Sequence, residues 1–362
     1  MGIANDSGSS SRVDLYRVRF TLPNLERITV KKLLTASLAL VLGLGTLAGC
    51  ASESSTNTNE SITIYSGRSE TLVAPLFEKF TDETGIGVEV RYGDSADLAA
   101  QILEEGDNRQ ADVFFSQDAG ALGALANENV LVELPSEITS LVPDIYRSEV
   151  GKWVGVSGRA RVFNYNPEKV TSVPSSVLDL MDPAWKGRIG IAPTNASFQA
   201  FVTALRILQG EDVARDFLVA MKDNAVLYES NDVILDAVET GQIDAGLINH
   251  YYWYAKAKEV GNDNMSSKIS WFESGDVGNL VNVAGVGALN TSESTLTFIK
   301  WLLSEESQRF FADTTFEYPL VNGIIQAADL PTLESIEKPD INLTNLSSLK
   351  VTLELLSEVG LL

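Results

Sequence analysis

The alternation of strand-length and helix-length apolar patterns between Ile62 and Asn127 constrains this chain more than any other feature. Ile62-Thr63-Ile64-Tyr65 is short, apolar and β-branched, as a buried strand requires. Leu72, Val73, Leu76, Phe77 and Phe80 then recur at helical spacing, with Gly85 as a stop. Val88, Val90 and Tyr92 share one face of a second strand. Residues 95–105 predict a helix with Leu98, Ile102 and Leu103 inward, 111–115 a third strand, and 119–127 a third helix. A helix-length crossover after each strand implies a parallel sheet. A second α/β unit follows: strands at 159–165, 189–192, near Val226 and at 244–249 alternate with helices at about 196–209, 211–222 and 231–240. A buried strand at 280–289 precedes helices near 292–304 and 305–313, and an amphipathic helix at about 344–358 ends the chain.

Ahead of this pattern, Arg27, Lys31 and Lys32 flank an apolar run that ends in Leu47-Ala48-Gly49-Cys50. The run is too short to span a bilayer comfortably and ends in small residues, so 1–49 reads as a signal peptide. Leu47-Ala48-Gly49-Cys50 resembles the bacterial lipobox, whose Cys is lipidated and becomes the mature N-terminus. Residues 50–60, rich in Ser, Thr, Asn and Glu, suit a flexible tether. The expected organisation is an N-lobe of 61–157 and 283–331 and a C-lobe of 158–282, with 332–362 bringing the C-terminal helix onto the C-lobe. The expected location is the extracytoplasmic face of the cell membrane, or the periplasm, with a lipid anchor.

Composition then removes function classes. With one Cys and one His among 362 residues there is no zinc framework and no disulfide within the chain. A Ser-His-Asp triad could use only His250. A net charge of −22 argues against nucleic acid. No Walker loop occurs, and Gly155-Val156-Ser157-Gly158-Arg159 lacks the last Gly of a nucleophile elbow. Binding, not catalysis, is expected. Two α/β lobes on an exported tether suggest a monomeric substrate-binding protein that serves an ABC permease and its ATPase. Its ligand would lie in the interlobe cleft, at the loops after Tyr65, Phe115, Val156, Ala192, Tyr228 and Asn249.

The most informative loop is Asn249-His250-Tyr251-Tyr252-Trp253-Tyr254. Adjacent tyrosines on a helix diverge by about 100°, so both cannot face a core. A phenolate is an anionic oxygen ligand, and a trivalent cation can hold it deprotonated far below its normal pKa of about 10. An aromatic helix start packed on its own lobe is the plainer reading of these residues. The Asn-x-Tyr-Tyr context, with Ile64-Tyr65-Ser66-Gly67-Arg68, Ala111-Asp112-Val113-Phe114-Phe115, Ser157-Gly158-Arg159-Ala160-Arg161-Val162, Trp185-Lys186-Gly187-Arg188 and Val281-Asn282-Val283-Ala284-Gly285, resembles the bacterial ferric-ion-binding protein family. The resemblance runs through nearly all of 62–358. It implies a two-lobed periplasmic binding protein of type II-like α/β fold, with Tyr251 and Tyr252 as Fe(III) ligands.

This chain departs from the family at three positions. Many members have a His where Ser69 stands and a Glu where Gln117 stands, and another branch has a third Tyr at the position of Phe198. Gln117 offers only a neutral amide oxygen as a metal ligand. Two phenolates leave roughly four of about six positions around Fe(III) open to water or an exogenous anion. The start of a helix after Pro193 supplies backbone N–H groups suited to an anion. The resemblance implies a synergistic anion (carbonate, phosphate or citrate) held by Thr194, Asn195, Ala196 and Ser197 with Asn231 and Asn249. Arg159 adds a two-donor guanidinium, and Arg68 is a further cation nearby. Helix capping by Asn195 and Asn231, and ion pairs for the arginines, are the ordinary alternatives. The rival functions are an oxyanion or polyamine receptor and, from another class, an exported metal-dependent hydrolase.

Overall fold

The computed structural model describes residues 60–362. The signal peptide, Cys50 and the tether through residue 59 lie outside these residues. Glu60, expected in the tether, already belongs to the fold: its carbonyl accepts from the Gly87 N–H at 2.8 Å and its carboxylate from Ser294 Oγ at 2.7 Å.

The chain opens with β1 (Ser61–Ser66), α1 (Glu70–Thr84), β2 (Gly87–Tyr92), α2 (Ser95–Glu105), β3 (Val113–Ser116) and α3 (Ala119–Asn127). Gly85, at φ 74°, ends α1 and returns its N–H to the Thr81 carbonyl at 2.8 Å, a conformation that Gly takes without strain. In α2 the buried stripe is Ser95, Leu98, Ala99 and Ile102, while Leu103 is 43% exposed. Leu103 was expected inward, but it lies one 100° step beyond Ile102 and leaves the stripe.

After the short α4 (Ser136–Thr139) comes β4 (Val154–Tyr165), twelve residues long and buried almost throughout. Its first half pairs with β9 (Val281–Ala288) and with β10 (Tyr318–Pro319). Its second half pairs with β7 (Ala245–Asn249) and β8 (Lys268–Ser270). One strand therefore runs through two sheet regions. The ligand loop expected after Val156 does not exist; a register shift between Gly155 and Ser157 bends the strand there instead.

The second region holds β5 (Ile189–Ile191), α5 (Ala196–Gln209), α6 (Glu211–Asn224), β6 (Ala225–Leu227), α7 (Asn231–Glu239), β7 and α8 (His250–Val260). Then α9 (Glu293–Leu302) and α10 (Glu305–Asp313) return to the first region, where α9 packs on β9 and β1. The strand order is β2-β1-β3-β9-β4-β7-β5-β6, with β10 and β8 attached to β4. The strands of the opening β-α-β-α-β run are parallel as expected, and the sheet as a whole is mixed. β1 is parallel to β2 and β3, and β5 to β6 and β7, but β9 and β4 run antiparallel to their neighbours. Strand β4 runs from the first region into the second and β9 returns from the second, so neither closes a β-α-β unit with the strands it pairs with and nothing forces parallel pairing.

The expected helix at 344–358 is two pieces. A 3-10 turn, Leu343–Ser347, packs on α3, and α11 (Leu349–Val359) begins after a bend at Ser348. Helix α11 rests on α5 and α6, where Thr352 Oγ1 lies 2.7 Å from Thr203 Oγ1 and accepts from Arg206 Nη1 at 2.8 Å. No helix among the described residues is long and apolar enough to cross a membrane.

Candidate functional site

Strands in this fold hand over to helices along one line, and the helix starts collect at a cleft of 720 Å³. Ser69, Asp94, Asn195 and Ser230, which precede α1, α2, α5 and α7, line it, as do Tyr251 and Tyr252 in the first turn of α8. Helix starts concentrate partial positive charge, so the wall favours negatively charged groups.

Tyr251 is buried and Tyr252 half-buried. Their rings stack at 4.3 Å with 29° between planes, so both line the same cleft despite adjacent helix positions. Burial raises the Tyr252 pKa well above the usual phenol value, and the neighbouring Tyr251 raises it further; Arg68 works in the opposite direction. An empty site therefore keeps this phenol protonated, and only a strong cation displaces the proton.

His250 serves the scaffold. It is fully buried, its Nε2–H donates to the Phe316 carbonyl at 2.8 Å, and its Nδ1 accepts from the Ala160 N–H at 3.1 Å. Burial lowers its pKa to about 4, so the ring is neutral. It stacks on Tyr318 at 4.8 Å and ties the start of α8 to β4 and to the segment before β10. Phe316 holds φ at 57°, a rare conformation for a bulky residue, and this bend presents its carbonyl to His250.

Three guanidinium groups lie buried in this part of the fold, and the charges of Arg68 and Arg159 are felt at Tyr251. Arg68 lines the cleft and donates from Nη2 to Glu317 Oε2 at 2.6 Å, while its Nε and Nη1 have no protein partner. Burial pulls the Arg68 pKa down, but the charges of Glu317 and Tyr251 more than offset this. Arg159 is 1% exposed and none of its three side-chain nitrogens has a partner. Burial lowers its pKa, with Tyr251 acting against that shift and Arg68 adding to it. Arg161, two residues along the same strand face, lies 5.4 and 5.1 Å from the ring centres of Phe198 and Phe201. It donates to the Ser197 carbonyl at 3.3 Å, and burial with Arg159 nearby lowers its pKa to about 9. Phe198, where one family branch carries a Tyr, is thus fully buried beneath an arginine.

The expected anion residues divide. Asn195 reaches the cleft. Its Oδ1 accepts from the Ser197 N–H at 3.0 Å and Ser197 Oγ at 2.7 Å, and from Gln117 Nε2 and Asn231 Nδ2 at 3.4 Å each. One helix-start donor is thereby already capped. Gln117 also lines the cleft. Thr194 is exposed and does not line it; its carbonyl accepts from Gln199. Ala196, Ser197, Asn231 and Asn249 are buried, and Asn249 Nδ2 has no protein partner. Sequence reasoning missed Arg161 and Glu317. The signal for Arg161 was present: arginines two apart in an otherwise apolar strand must share a buried face. Nothing local marked Glu317. Among the described residues no group of three or more His, Cys, Asp or Glu side chains is placed to hold a metal.

The family of bacterial extracellular solute-binding proteins matches residues 108–340. The Fe(3+)-binding periplasmic protein of Serratia marcescens is 35% identical over 310 residues, which cover 84% of this chain and 91% of that protein. The iron-bound HitA structure from Pseudomonas aeruginosa superposes with a TM-score of 0.79 at 33% identity, covering 83% of this chain and 99% of that one. A Trichodesmium FutA structure in complex with iron and citrate superposes with a TM-score of 0.69 at 28% identity over 83% of this chain and 99% of that one.

Proposed function

The chain belongs to the bacterial ferric-ion-binding proteins, a branch of the extracellular solute-binding proteins, and from that premise we propose that Tyr251 and Tyr252 hold its Fe(III) cargo. It is a periplasmic-type Fe(III)-binding component of an ABC transport system and works by binding, not by catalysis. The observation that carries the site assignment is the stacked tyrosine pair, which faces a cleft lined by helix starts. Fe(III) is a hard trivalent cation, and two phenolates supply anionic oxygen and two of its three compensating charges.

An oxyanion completes the shell in this reading. Arg159 presents a buried guanidinium without a protein partner, and Arg68 has two free nitrogens at the cleft wall. Buried unpaired donors are expensive unless a ligand meets them, so they favour an anion between arginines and iron. Asn195, Asn231, Asn249 and the start of α5 orient it, and carbonate, phosphate or citrate each fit this chemistry. Gln117 holds the opposite wall to Asn195 and contributes at most a neutral oxygen. A lipid on Cys50 anchors the protein outside the cell membrane, where it passes iron to its permease.

The test is ferric titration in buffer stripped of carbonate and phosphate, with each anion then added back. Tighter iron binding with at least one anion supports the reading. Equal affinity with and without all three removes the anion from it.

A further inference from the structure

We infer that Asp94 is an additional Fe(III) ligand, supplying the anionic oxygen that Ser69 and Gln117 do not; this rests on the tyrosine-pair reading above. Asp94 lines the same cleft as Tyr251 and Tyr252. Among the described residues lining the wall built by the loops after β1, β2 and β3, it is the only carboxylate. The other cleft-lining acids, Glu229, Asp232, Asp236 and Glu259, stand on the α7 and α8 side with the tyrosines.

The backbone on either side of Asp94 is held by its neighbours, while the Asp94 side chain is exposed. The Gly93 N–H donates to the Ser66 carbonyl at 3.2 Å, and Ser95 Oγ accepts from the Gln117 N–H at 3.0 Å. Ser95 Oγ also sits so close to Gly67 that a Cβ there would approach it to 2.0 Å. Asp94 is thus held beside both the loop carrying Ser69 and the loop carrying Gln117. It precedes α2, where an Asp ordinarily caps the helix with its carboxylate. Asp118 does so for α3, accepting from Gly120 and Ala121. The Asp94 side chain makes no cap bond. Its carboxylate is exposed and lines the cleft that Tyr251 and Tyr252 also line. An ion bound to both walls would have two phenolates and one carboxylate, three negative charges for a trivalent cation.

The experiment compares wild-type protein with Asp94→Asn and Asp94→Glu, each loaded from ferric nitrilotriacetate in about 0.5 M NaCl, where through-space attraction is screened. Asp94→Asn is expected to keep the phenolate-to-iron band, because the tyrosines remain. The band should move to longer wavelength, since iron that loses an anionic donor becomes a stronger acceptor. Affinity should fall by on the order of tenfold or more, and Asp94→Glu should recover part of it. An unchanged band and affinity in Asp94→Asn would overturn the proposal. So would an affinity loss seen only at low salt, which would make Asp94 a distant charge. A wild-type protein without any band would bring down the tyrosine reading itself, and this proposal with it. An unaltered near-UV circular dichroism spectrum of the apo variants shows that the comparison is between folded proteins.

Discussion

Arg68 donates to Glu317 at 2.6 Å across 249 positions of sequence, with both side chains almost fully buried. Glu317 is itself held by Ser157 Oγ at 3.1 Å and Thr315 Oγ1 at 3.0 Å. The pair joins the loop before α1 to the segment after α10, so the guanidinium at the cleft wall has a fixed position.

Removing one member strands a buried charge, which costs about 3–5 kcal/mol, whereas removing both costs much less than the sum. Arg68→Met and Glu317→Leu should each lower stability strongly in urea unfolding of the apo protein, and the double variant should recover much of the loss. Additive losses would show that the two side chains act independently.

His250 makes stability depend on pH. Its native pKa of about 4 lies below the unfolded value of about 6.5. Between these values the unfolded chain binds a proton that the native ring refuses, so stability falls as pH drops from about 6.5 to about 4. The loss totals roughly 3 kcal/mol and levels off below that range. This is the chain's one histidine, so the imidazole resonance is unambiguous. It should not titrate above about pH 5 by NMR, and His250→Gln should flatten the stability profile in the same window. A resonance that titrates near 6.5 would contradict the buried neutral ring.

Much of the fold is legible in the sequence because its stops and starts are local. The bounds of α2, α3 and α5 match the pattern of apolar spacing and caps, with Asp118 and Asn195 making the bonds expected of N-caps. The path of β4 is not legible, because the pattern shows a strand only from Arg159 onward and suggests a loop after Val156, whereas pairing with β9 and β7 makes 154–165 one strand. The site follows the same rule. The tyrosine pair, Asn195, Gln117 and Arg68 are local signals that do reach the cleft. Glu317 acquires its role only through a contact made across most of the chain, and Thr194, in the same loop as Asn195, is exposed and does not line the cleft.

Iron release should be steep in acid. Each phenolate must be protonated as iron leaves, and burial holds the Tyr252 proton more tightly than usual. Apparent affinity should therefore drop by on the order of 100-fold per pH unit, the signature of about two protons taken up per iron released. Following the visible band against pH with a competing chelator of known proton dependence measures this slope. A slope near zero would mean that no phenolate is bound.

Cys50 should decide where the protein resides. In the native host, Cys50→Ser should move the protein from the membrane fraction to the soluble fraction, because lipidation requires the thiol. Full retention with membranes would contradict the lipid anchor.

The visible spectrum of the ferric-loaded protein tests the central claim most directly. The wild type should be coloured by a phenolate-to-iron charge-transfer band, and Tyr251→Phe and Tyr252→Phe should each abolish the coloured complex while leaving the fold intact. Retention of both colour and iron affinity in the two single variants would contradict the assignment of the tyrosine pair.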